Sequence, residues 1–477
     1  MSIEKQAASA LKWTGLAKLV AQVVSWGVTL VVLRILAPAD YGLIAIVSVI
    51  IAVLSSIAEL GLGASLIQST TLHRDELAAV SGVVIVCNLA IGVLLALLAP
   101  IAAWFYGEPR LTLLIQVAAL SFAFYALQTV PQALAYRDMN FKWLAKVEFA
   151  GSIASGLVTL ALALHGAGVW ALLIGSQVQN LVRVVLLMRQ PQPWPQFRLK
   201  GIRSYLAFGG ATTLSRLVGQ MAYQSDVIIG GRWLSSQTLG LYSVSLHLAT
   251  LPMQKIMSVI NLVAFPALAK LQNEPQRMRM RMLEASRILT VVSVAALWGM
   301  ASVAPEFVRI AMGEKWVAAV YALQTVCIVI PLRMLHIIFT TAALGMGNIG
   351  VNMRSMTATA LILPAAFFIG VHWGIDGLAS AWVVAIPLIS CVAMPRMMKC
   401  VGISFAELFA AVRGPLVAGV AMYLAIALVR QFAAALHDMA RLVLLIAVGG
   451  LVYLGTLRLA DRKVFGELRR MVTALRA

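Results

Sequence analysis

Residues 14–42, TGLAKLVAQVVSWGVTLVVLRILAPADYG, place a lysine inside an apolar stretch that is long enough to cross a bilayer. A shift of 198 positions along the chain brings Arg216 opposite Lys18 and repeats the neighbouring residues without a gap. Such a repeat predicts an internal duplication, which in a membrane protein favours a transporter built from two related halves. The aligned pairs are Thr14 and Thr212, Lys18 and Arg216, Gln22 and Gln220, Arg34 and Arg232, Leu36 and Leu234, Gly42 and Gly240, and Leu43 and Leu241.

The composition predicts an integral membrane protein. Of the 477 residues, 61% are hydrophobic and 12% are charged. A soluble domain has roughly 45–50% apolar and about 25% charged residues. The four cysteines show no CxxC spacing, so the sequence predicts neither a disulfide framework nor a metal site. No small-residue cleavage site follows a short apolar core near the N-terminus, so we expect the first apolar segment to remain as a span.

The hydropathy pattern predicts an all-α integral membrane protein of about 14 transmembrane helices. We expect two parallel-repeat six-helix lobes around a central cavity, followed by two C-terminal helices. The predicted spans are residues 11–36, 42–67, 78–104, 111–136, 147–165, 168–189, 204–230, 238–269, 285–305, 316–345, 353–372, 376–395, 409–431 and 439–459.

The loops that an even number of spans places on one side hold most of the lysines and arginines, which predicts that both termini are cytoplasmic. This bias accounts for most of the net charge of +19, so the charge does not indicate a nucleic-acid partner. A proline-dense polar stretch marks the linker between the halves, and GVWALLIG at 168–175 parallels GIDGLASA at 374–381, each opening a span with a glycine-led turn. The predicted parts are an N-lobe at 1–189, a cytoplasmic linker at 190–203, a C-lobe at 204–396, helices 13 and 14 at 397–459 and a basic tail at 460–477.

Polar residues form a stripe on one face of the first and the seventh predicted helix. Since unpaired polar groups cannot face lipid, both stripes must face a bundle interior or a water-filled cavity. Snorkelling of Lys18 to the headgroups is the alternative for the first stripe. The stripes are Thr14, Lys18, Gln22, Ser25 and Thr29, and Thr212, Arg216, Gln220, Tyr223 and Asp226.

Further buried charges are predicted inside later spans, and most of them are cations. We expect the cations to line one cavity that selects an anionic substrate, because arginine and lysine bind phosphate oxygens. His336 is either a packed core histidine or a proton switch. The carboxylates of Glu59 and Asp226 either balance the charge of the cations or couple transport to an ion. The predicted substrate-binding residues are Lys18, Gln22, Arg216, Gln220, Lys255 and Arg333; the coupling or charge-balancing residues are Glu59, Asp226 and His336; the gate or helix-end residues are Arg34 and Arg232.

No sequence motif indicates an enzyme: GxxxxGK[ST], HExxH, GxSxG and a paired-carboxylate constellation are all missing from the sequence. A membrane-embedded glycosyltransferase or polymerase would need catalytic acids or a large periplasmic loop, and the sequence shows neither. We therefore expect no enzymatic activity and no bound cofactor.

Six stretches of the sequence resemble the polysaccharide-transporter branch of the multidrug/oligosaccharidyl-lipid/polysaccharide flippase superfamily. The likeness covers nearly the whole chain and specifies the family better than the substrate. The stretches are LKWTGLAKLVAQ (11–22), LRILAPADYGLIAIV (33–47), ELGLGASLIQ (59–68), AYRDMNFKWLA (135–145), GVWALLIGSQV (168–178) and FGGATTLSRLVGQMAYQSDVIIGGRWLSSQTLGLYSVS (208–245).

This resemblance implies a bacterial inner-membrane flippase of exopolysaccharide or lipopolysaccharide biosynthesis. It would move an undecaprenyl-pyrophosphate-linked oligosaccharide repeat unit from the cytoplasmic to the periplasmic leaflet by alternating access. The implied partners are the lipid bilayer, the polyprenyl-pyrophosphate-linked oligosaccharide, and polysaccharide polymerase and chain-length proteins. The family also implies coupling to a proton or sodium gradient, although the sequence shows no ion site. Two alternatives stay open: a flippase for the peptidoglycan lipid precursor, and a multidrug/cation antiporter, which would need carboxylates in its cavity.

Overall fold

The computed structural model of the chain describes residues 27–58, 66, 74–189, 195–197, 217–270, 274–433 and 435–460. Every regular element within these ranges is a helix. The chain divides into two compact units, unit 1 with residues 1–232 and unit 2 with residues 233–477. This boundary falls after Arg232 rather than in the predicted linker at 190–203. The predicted lobes are defined by the sequence repeat and not by packing, so they stay a prediction.

Unit 1 is built from helices that are rich in apolar residues, and short polar or glycine-containing turns join those from α2 to α5. Residues 27–35 and 217–223 are also helical. The helices are α1 (Pro38–Ala58), α2 (Arg74–Tyr106), α3 (Leu111–Arg137), α4 (Phe141–Leu164), α5 (Val169–Leu187) and α6 (Ser225–Trp233), whose last residue belongs to unit 2.

Unit 2 continues the pattern. Its connection after α8 is a four-residue helix (Ala304–Phe307), a π-helix (Val308–Met312) and a 3-10 helix (Glu314–Ala319), and a second 3-10 turn (Val371–Trp373) joins α10 to α11. The helices are α7 (Ser236–Lys270), α8 (Pro275–Ser302), α9 (Val320–Gly345), α10 (Ile349–Gly370), α11 (Gly374–Val401), α12 (Phe405–Phe432) and α13 (Asp438–Ala460).

Ten helical stretches in the described residues are long and apolar enough to cross a membrane, so the chain is a multi-pass membrane protein. One of them, residues 350–401, contains both α10 and α11 and the turn between them. The total of 14 spans stays a prediction, because parts of the chain lie outside the described residues.

Most of the predicted spans coincide with observed helices, as at α3, where the sequence predicts a span over residues 111–136 and the helix is Leu111–Arg137. The predicted start at residue 285 is wrong, because α8 already begins at Pro275. Its first turns carry the sequence RMRMRM, which is too polar for a bilayer core. A hydropathy window finds only the part of a helix that lipid surrounds, whereas this helix continues beyond it.

The repeat at a shift of 198 is visible in the helix starts. Helix α1 begins at Pro38 and α7 begins at Ser236, and each follows a helix that ends three residues earlier, at residue 35 and at Trp233. Arg34 and Arg232 are therefore the penultimate residues of the preceding helices, as the sequence predicted. The helices in this part of the two halves are in the same register.

Later turns repeat as well. Gly168 lies directly before α5 with φ 56 and ψ −134, and Gly374 opens α11 with φ 68 and ψ −145. These conformations are essentially restricted to glycine, so the predicted glycine-led turns are confirmed at both places. The residues before Asn140 and Asn348, the N-caps of α4 and α10, also both have positive φ, at Met139 and Gly347.

Small residues allow close helix packing within each unit. In unit 1, a side chain at Gly175 of α5 would collide with Thr159 of α4. In unit 2, Gly370 and Gly377 pack backbone to backbone, so α10 and α11 fold back on each other, and Gly419 of α12 lies against Trp298 of α8. Close approach through small residues is the usual way in which membrane helices associate.

Candidate functional site

Four predicted site residues, Lys18, Gln22, Glu59 and Arg216, lie outside the described part of the chain. Their roles stay predictions.

Helix α9 places Arg333 and His336 near its middle, one turn apart and on the same side. The surrounding sequence, VCIVIPLRMLHIIF at 326–339, is otherwise apolar. Arg333 is half-buried, and the residue surface of His336 is 7% exposed. A cation at mid-helix in a membrane protein is costly, and such residues usually mark a substrate or ion pathway.

An aromatic frame holds the guanidinium of Arg333. The guanidinium carbon lies 5.1 Å from the centroid of the Trp382 ring, which belongs to α11. The indole N–H of Trp382 donates to the hydroxyl of Tyr242 on α7 at 2.7 Å. The ring of Phe367 on α10 packs edge-on against the Trp382 ring, with the two ring centroids 5.1 Å apart. A cation over an indole face is stabilised by about 0.5–2 kcal/mol, more when water is excluded. Three helices thus fix the surface on which the positive charge lies.

His336 contacts Ser355 of α10 through Nε2, at 3.0 Å from the hydroxyl oxygen. The second ring nitrogen, Nδ1, is buried and has no hydrogen-bond partner among the described residues. A buried polar atom without a partner costs about 1–3 kcal/mol. Such an atom in a native structure calls for an explanation such as a ligand, a water or a functional role.

The other predicted residues differ in burial. Lys255 on α7 is exposed. A long lysine stem readily carries its ammonium group to a surface, and substrate contact by Lys255 stays a prediction. Gln220 is half-buried, and Asp226 is completely buried, with its carboxylate accepting the backbone N–H of Val227 at 2.7 Å.

The two helix-end arginines are exposed. The guanidinium of Arg232 lies 5.9 Å from the ring centroid of Phe105, at the end of α2. The neighbouring Gly231 packs so closely on Tyr106 that an added side chain would meet its ring at 2.8 Å. The helix-end position of Arg34 and Arg232 agrees with the prediction, and their role as gates stays a prediction.

Sequence reasoning missed a charge cluster around Glu306, whose surface is 2% exposed. Arg430 of α12 grips this carboxylate with two hydrogen bonds of 2.8 and 3.0 Å and also donates to the carbonyl of Ser302. Arg441 of α13 lies 3.6 Å from the same carboxylate and pairs with Asp438. The available signal in the sequence was a glutamate next to a proline between two apolar segments, at Pro305 and Glu306.

The cluster lies just beyond the last residue of α8, whose carbonyl accepts a hydrogen bond from Arg430. Near the first residues of α8, Arg279 forms an ion pair with Glu407 of α12. Glu407 also completes a capping box with Ser404 at the start of α12. Between the two ion pairs, an apolar cluster that includes Val294, Met422 and Leu445 joins α8, α12 and α13. We call this assembly the α8–α12–α13 block. Ion pairs join it at both ends, and apolar side chains pack between them.

Unit 1 has a neutral polar contact that sequence reasoning also missed. Ser121 of α3 and Gln177 of α5 exchange hydrogen bonds of 3.1 and 2.9 Å. Arg183 and Glu148 pair between α5 and α4. The members of these two pairs are 56 and 35 positions apart, so no short periodic spacing in the sequence indicates that they meet.

A family model described as "Polysaccharide biosynthesis protein" matches residues 31–321, which is more than half of the chain. The chain belongs to the polysaccharide biosynthesis protein family. The resemblance found in the sequence is therefore confirmed at the level of the family.

Three relatives of this polysaccharide biosynthesis protein show how widely the likeness extends. Teichuronic acid biosynthesis protein TuaB of Bacillus subtilis (strain 168) is 29% identical over 336 residues, which cover 69% of each chain. Lipopolysaccharide biosynthesis protein WzxC of Escherichia coli (strain K12) is 23% identical and covers 76% of this chain and 75% of its own. An uncharacterized membrane protein in the cps region of Klebsiella pneumoniae is 24% identical and covers 100% and 99%.

Two solved structures have a similar fold. The lipid II flippase MurJ in an inward closed conformation superposes with a TM-score of 0.72 at 14% identity, covering 94% of this chain and 100% of its own. An inward-facing multidrug resistance MATE family transporter of the MOP superfamily gives 0.62 at 12% identity, covering 79% and 94%. The chain thus has the fold that these two transport proteins share.

Proposed function

We propose that the protein is a flippase that moves an undecaprenyl-pyrophosphate-linked oligosaccharide repeat unit from the cytoplasmic to the periplasmic leaflet of the bacterial inner membrane. Both termini lie in the cytoplasm in this proposal. Transport proceeds by alternating access and is driven by a proton or sodium gradient. Polysaccharide polymerase and chain-length proteins receive the product.

The observation that supports this proposal most directly is Arg333. It is a cation at the middle of a membrane helix, set on an aromatic frame, in a chain that belongs to a polysaccharide biosynthesis family and has a flippase fold. A guanidinium always carries charge and offers a planar fork for phosphate oxygens. A site that must hold a pyrophosphate in a low-dielectric core needs such a group.

The electrostatics of crossing support the same substrate class. A pyrophosphate carries more than one negative charge, and moving it unpaired through an apolar core would be prohibitive. Arg333, together with Lys255 and the predicted cations Lys18 and Arg216, would offset that cost in steps. Binding has to stay moderate at each step, because a group held too tightly in one state is not released.

The similarity to MurJ favours a second candidate, a flippase for the peptidoglycan lipid precursor, whose carrier has the same pyrophosphate chemistry. A multidrug/cation antiporter fits less well, because it would rely on carboxylates to bind cations. Among the named candidates in unit 2, Arg333 and Lys255 are both cationic.

Deletion of the gene, followed by analysis of lipid-linked sugars, tests the proposal. We expect undecaprenyl-pyrophosphate-linked repeat units to accumulate in the inner leaflet and surface polysaccharide to disappear, with recovery when the wild-type gene is returned. Accumulation of the peptidoglycan precursor with cell lysis would instead establish the second candidate. Unchanged lipid-linked sugars with increased drug sensitivity would establish the antiporter.

A further inference from the structure

His336 has three properties that a packing role does not explain together. Its residue surface is only 7% exposed, its Nε2 contacts Ser355, and its Nδ1 has no hydrogen-bond partner in the described residues. It also lies one turn from Arg333, which acts on it electrostatically. A packed histidine normally satisfies both ring nitrogens or exposes one to water.

We propose that the Nδ1–H of His336 is a second, uncharged donor to the phosphate group that Arg333 binds, and that Ser355 holds the ring in the tautomer which makes this possible. The inference rests on the proposed function, since it assigns a further contact to the same anionic ligand. His336 is then a substrate-binding residue, and Ser355 is a positioning residue.

The hydroxyl of Ser355 is suited to set the tautomer. Thr340 on α9 and Thr359 on α10 turn their hydroxyls back to carbonyls of their own helices, those of His336 and Ser355. The hydroxyl of Ser355 instead reaches across from α10 to the imidazole of α9. When this hydroxyl donates to Nε2, the ring proton stays on Nδ1, because a neutral imidazole carries only one N–H.

A neutral donor beside a cation suits a transport site. The guanidinium supplies charge and two parallel hydrogen bonds, but a phosphate has more oxygens than one fork can satisfy. An additional arginine would raise the affinity for the phosphate further. An imidazole N–H adds one directional hydrogen bond to the phosphate without adding another full positive charge. This keeps the affinity moderate, which release requires.

Two substitutions separate this role from a structural one, because each keeps a different ring nitrogen. The amide nitrogen of asparagine is placed like Nδ1, so His336→Asn keeps the proposed donor and loses the contact with Ser355. The amide nitrogen of glutamine is placed like Nε2, so His336→Gln keeps the contact with Ser355 and loses the donor. A residue that only braces α9 against α10 would tolerate glutamine and not asparagine.

The experiment titrates inorganic pyrophosphate into the purified full-length protein in detergent and measures the dissociation constant by calorimetry. Arg333→Ala measures how much the positive charge of Arg333 contributes to the affinity. The matched control is His247→Gln, which changes an exposed histidine of the same unit. Thermal melting of every variant verifies that it is folded.

We expect His336→Asn and His247→Gln to bind within about threefold of the wild type, and His336→Gln and Arg333→Ala to bind about tenfold or more weakly, since a hydrogen bond to a charged group is being lost. Should His336→Asn fail to fold, Ser355→Ala takes its place, with binding expected within about fivefold of the wild type.

Three results overturn the inference. Wild-type affinity in His336→Gln, or a loss in His336→Asn as large as that in His336→Gln, would assign the histidine to bracing while Arg333 keeps its role. A loss in the replacement variant Ser355→Ala as large as that in His336→Gln would do the same. If the wild type itself does not bind pyrophosphate, the proposed ligand class fails and the contact of His336 fails with it.

Discussion

The turns that open α1 and α7 share a backbone path but are closed by different side chains. In unit 1, the carboxylate of Asp40 accepts the backbone N–H of Ala37 at 3.0 Å. In unit 2, the hydroxyl of Ser235 accepts the backbone N–H of Thr238 at 3.2 Å. A capping box consists of two reciprocal hydrogen bonds, one to the N-cap side chain and one to the side chain at the third helical position. The turn in unit 1 has the second of these bonds, and the turn in unit 2 has the first. The duplication preserved where the helix begins, and the chemistry that fixes the start diverged.

The same contrast holds in the interiors. Unit 1 joins α3 to α5 through the uncharged pair Ser121 and Gln177, whereas unit 2 places Arg333 and His336 in the middle of α9. Arg333 would align with Tyr125 at the shift of 208 that relates Asn140 to Asn348, the N-caps that follow α3 and α9. At these described positions, the repeated backbone therefore has neutral hydrogen bonds in one unit and a cation in the other. We infer that the scaffold tolerates either kind of interior.

Removing charge from unit 2 should have the largest effect on transport. Arg333→Ala is expected to reduce export of lipid-linked repeat units about tenfold or more, because two hydrogen bonds to a charged ligand are lost. Arg333→Lys should recover part of the lost export, since lysine keeps the positive charge but lacks the planar guanidinium that makes two parallel hydrogen bonds. The measurement is the rate of surface polysaccharide production in complemented cells. The matched variant Gln177→Ala in unit 1 should lower it less than about twofold. Equal effects of the two alanine variants would contradict the contrast between the units.

The second prediction compares two glutamates that lie between helices, one in each unit. Glu108 in unit 1 pairs with the exposed Arg110 at 2.8 Å, an interaction that raises the pKa of the arginine, whereas Glu306 in unit 2 is buried under Arg430. Glu306→Gln should destabilise the protein by about 1–3 kcal/mol, since it removes the buried counter-charge of the half-buried Arg430. Glu108→Gln should cost less than about 1 kcal/mol. Thermal unfolding in detergent distinguishes them, and similar melting temperatures would show that the Glu306 cluster does not stabilise unit 2.

The smallest effects are expected at the two capped turns. Asp40→Ala and Ser235→Ala should each cost about 1 kcal/mol of stability, because each removes one cap. Ala37→Ser should gain up to about 1 kcal/mol by completing the capping box of unit 1. Chemical denaturation of the purified protein measures all three. A loss on Ala37→Ser would show that the two turns are less alike than their backbones indicate.

The repeat made the helix starts predictable. A gapless shift of 198 aligned Pro38 with Ser236, and both positions begin helices. Glycines at 168 and 374 were predictable for a similar reason, since a turn that only glycine adopts leaves a mark in the sequence. The start of α8 was not predictable from hydropathy, because the lipid-facing pattern stops before the helix does.

The candidate site was predictable only in part. Arg333 and His336 stand out because a charge in an apolar run is conspicuous in any sequence. Their partners do not stand out: Trp382 meets the hydroxyl of Tyr242 across 140 positions, and Glu306 meets Arg430 across 124. Such contacts depend on how helices far apart in the sequence are packed. A single sequence holds no periodic signal for that packing.

The α8–α12–α13 block has a mechanical consequence. Its two ion pairs, at Glu407 and at Arg430, are 23 positions apart on α12, which corresponds to about 35 Å of helix. We expect a block that is joined at both ends to move as one body, so a tilt of α8 would carry α12 and α13 through the surrounding lipid by the same angle. Under the proposed function, each transport cycle would then displace acyl chains. Stiffer lipid should therefore slow export even when every binding contact is intact.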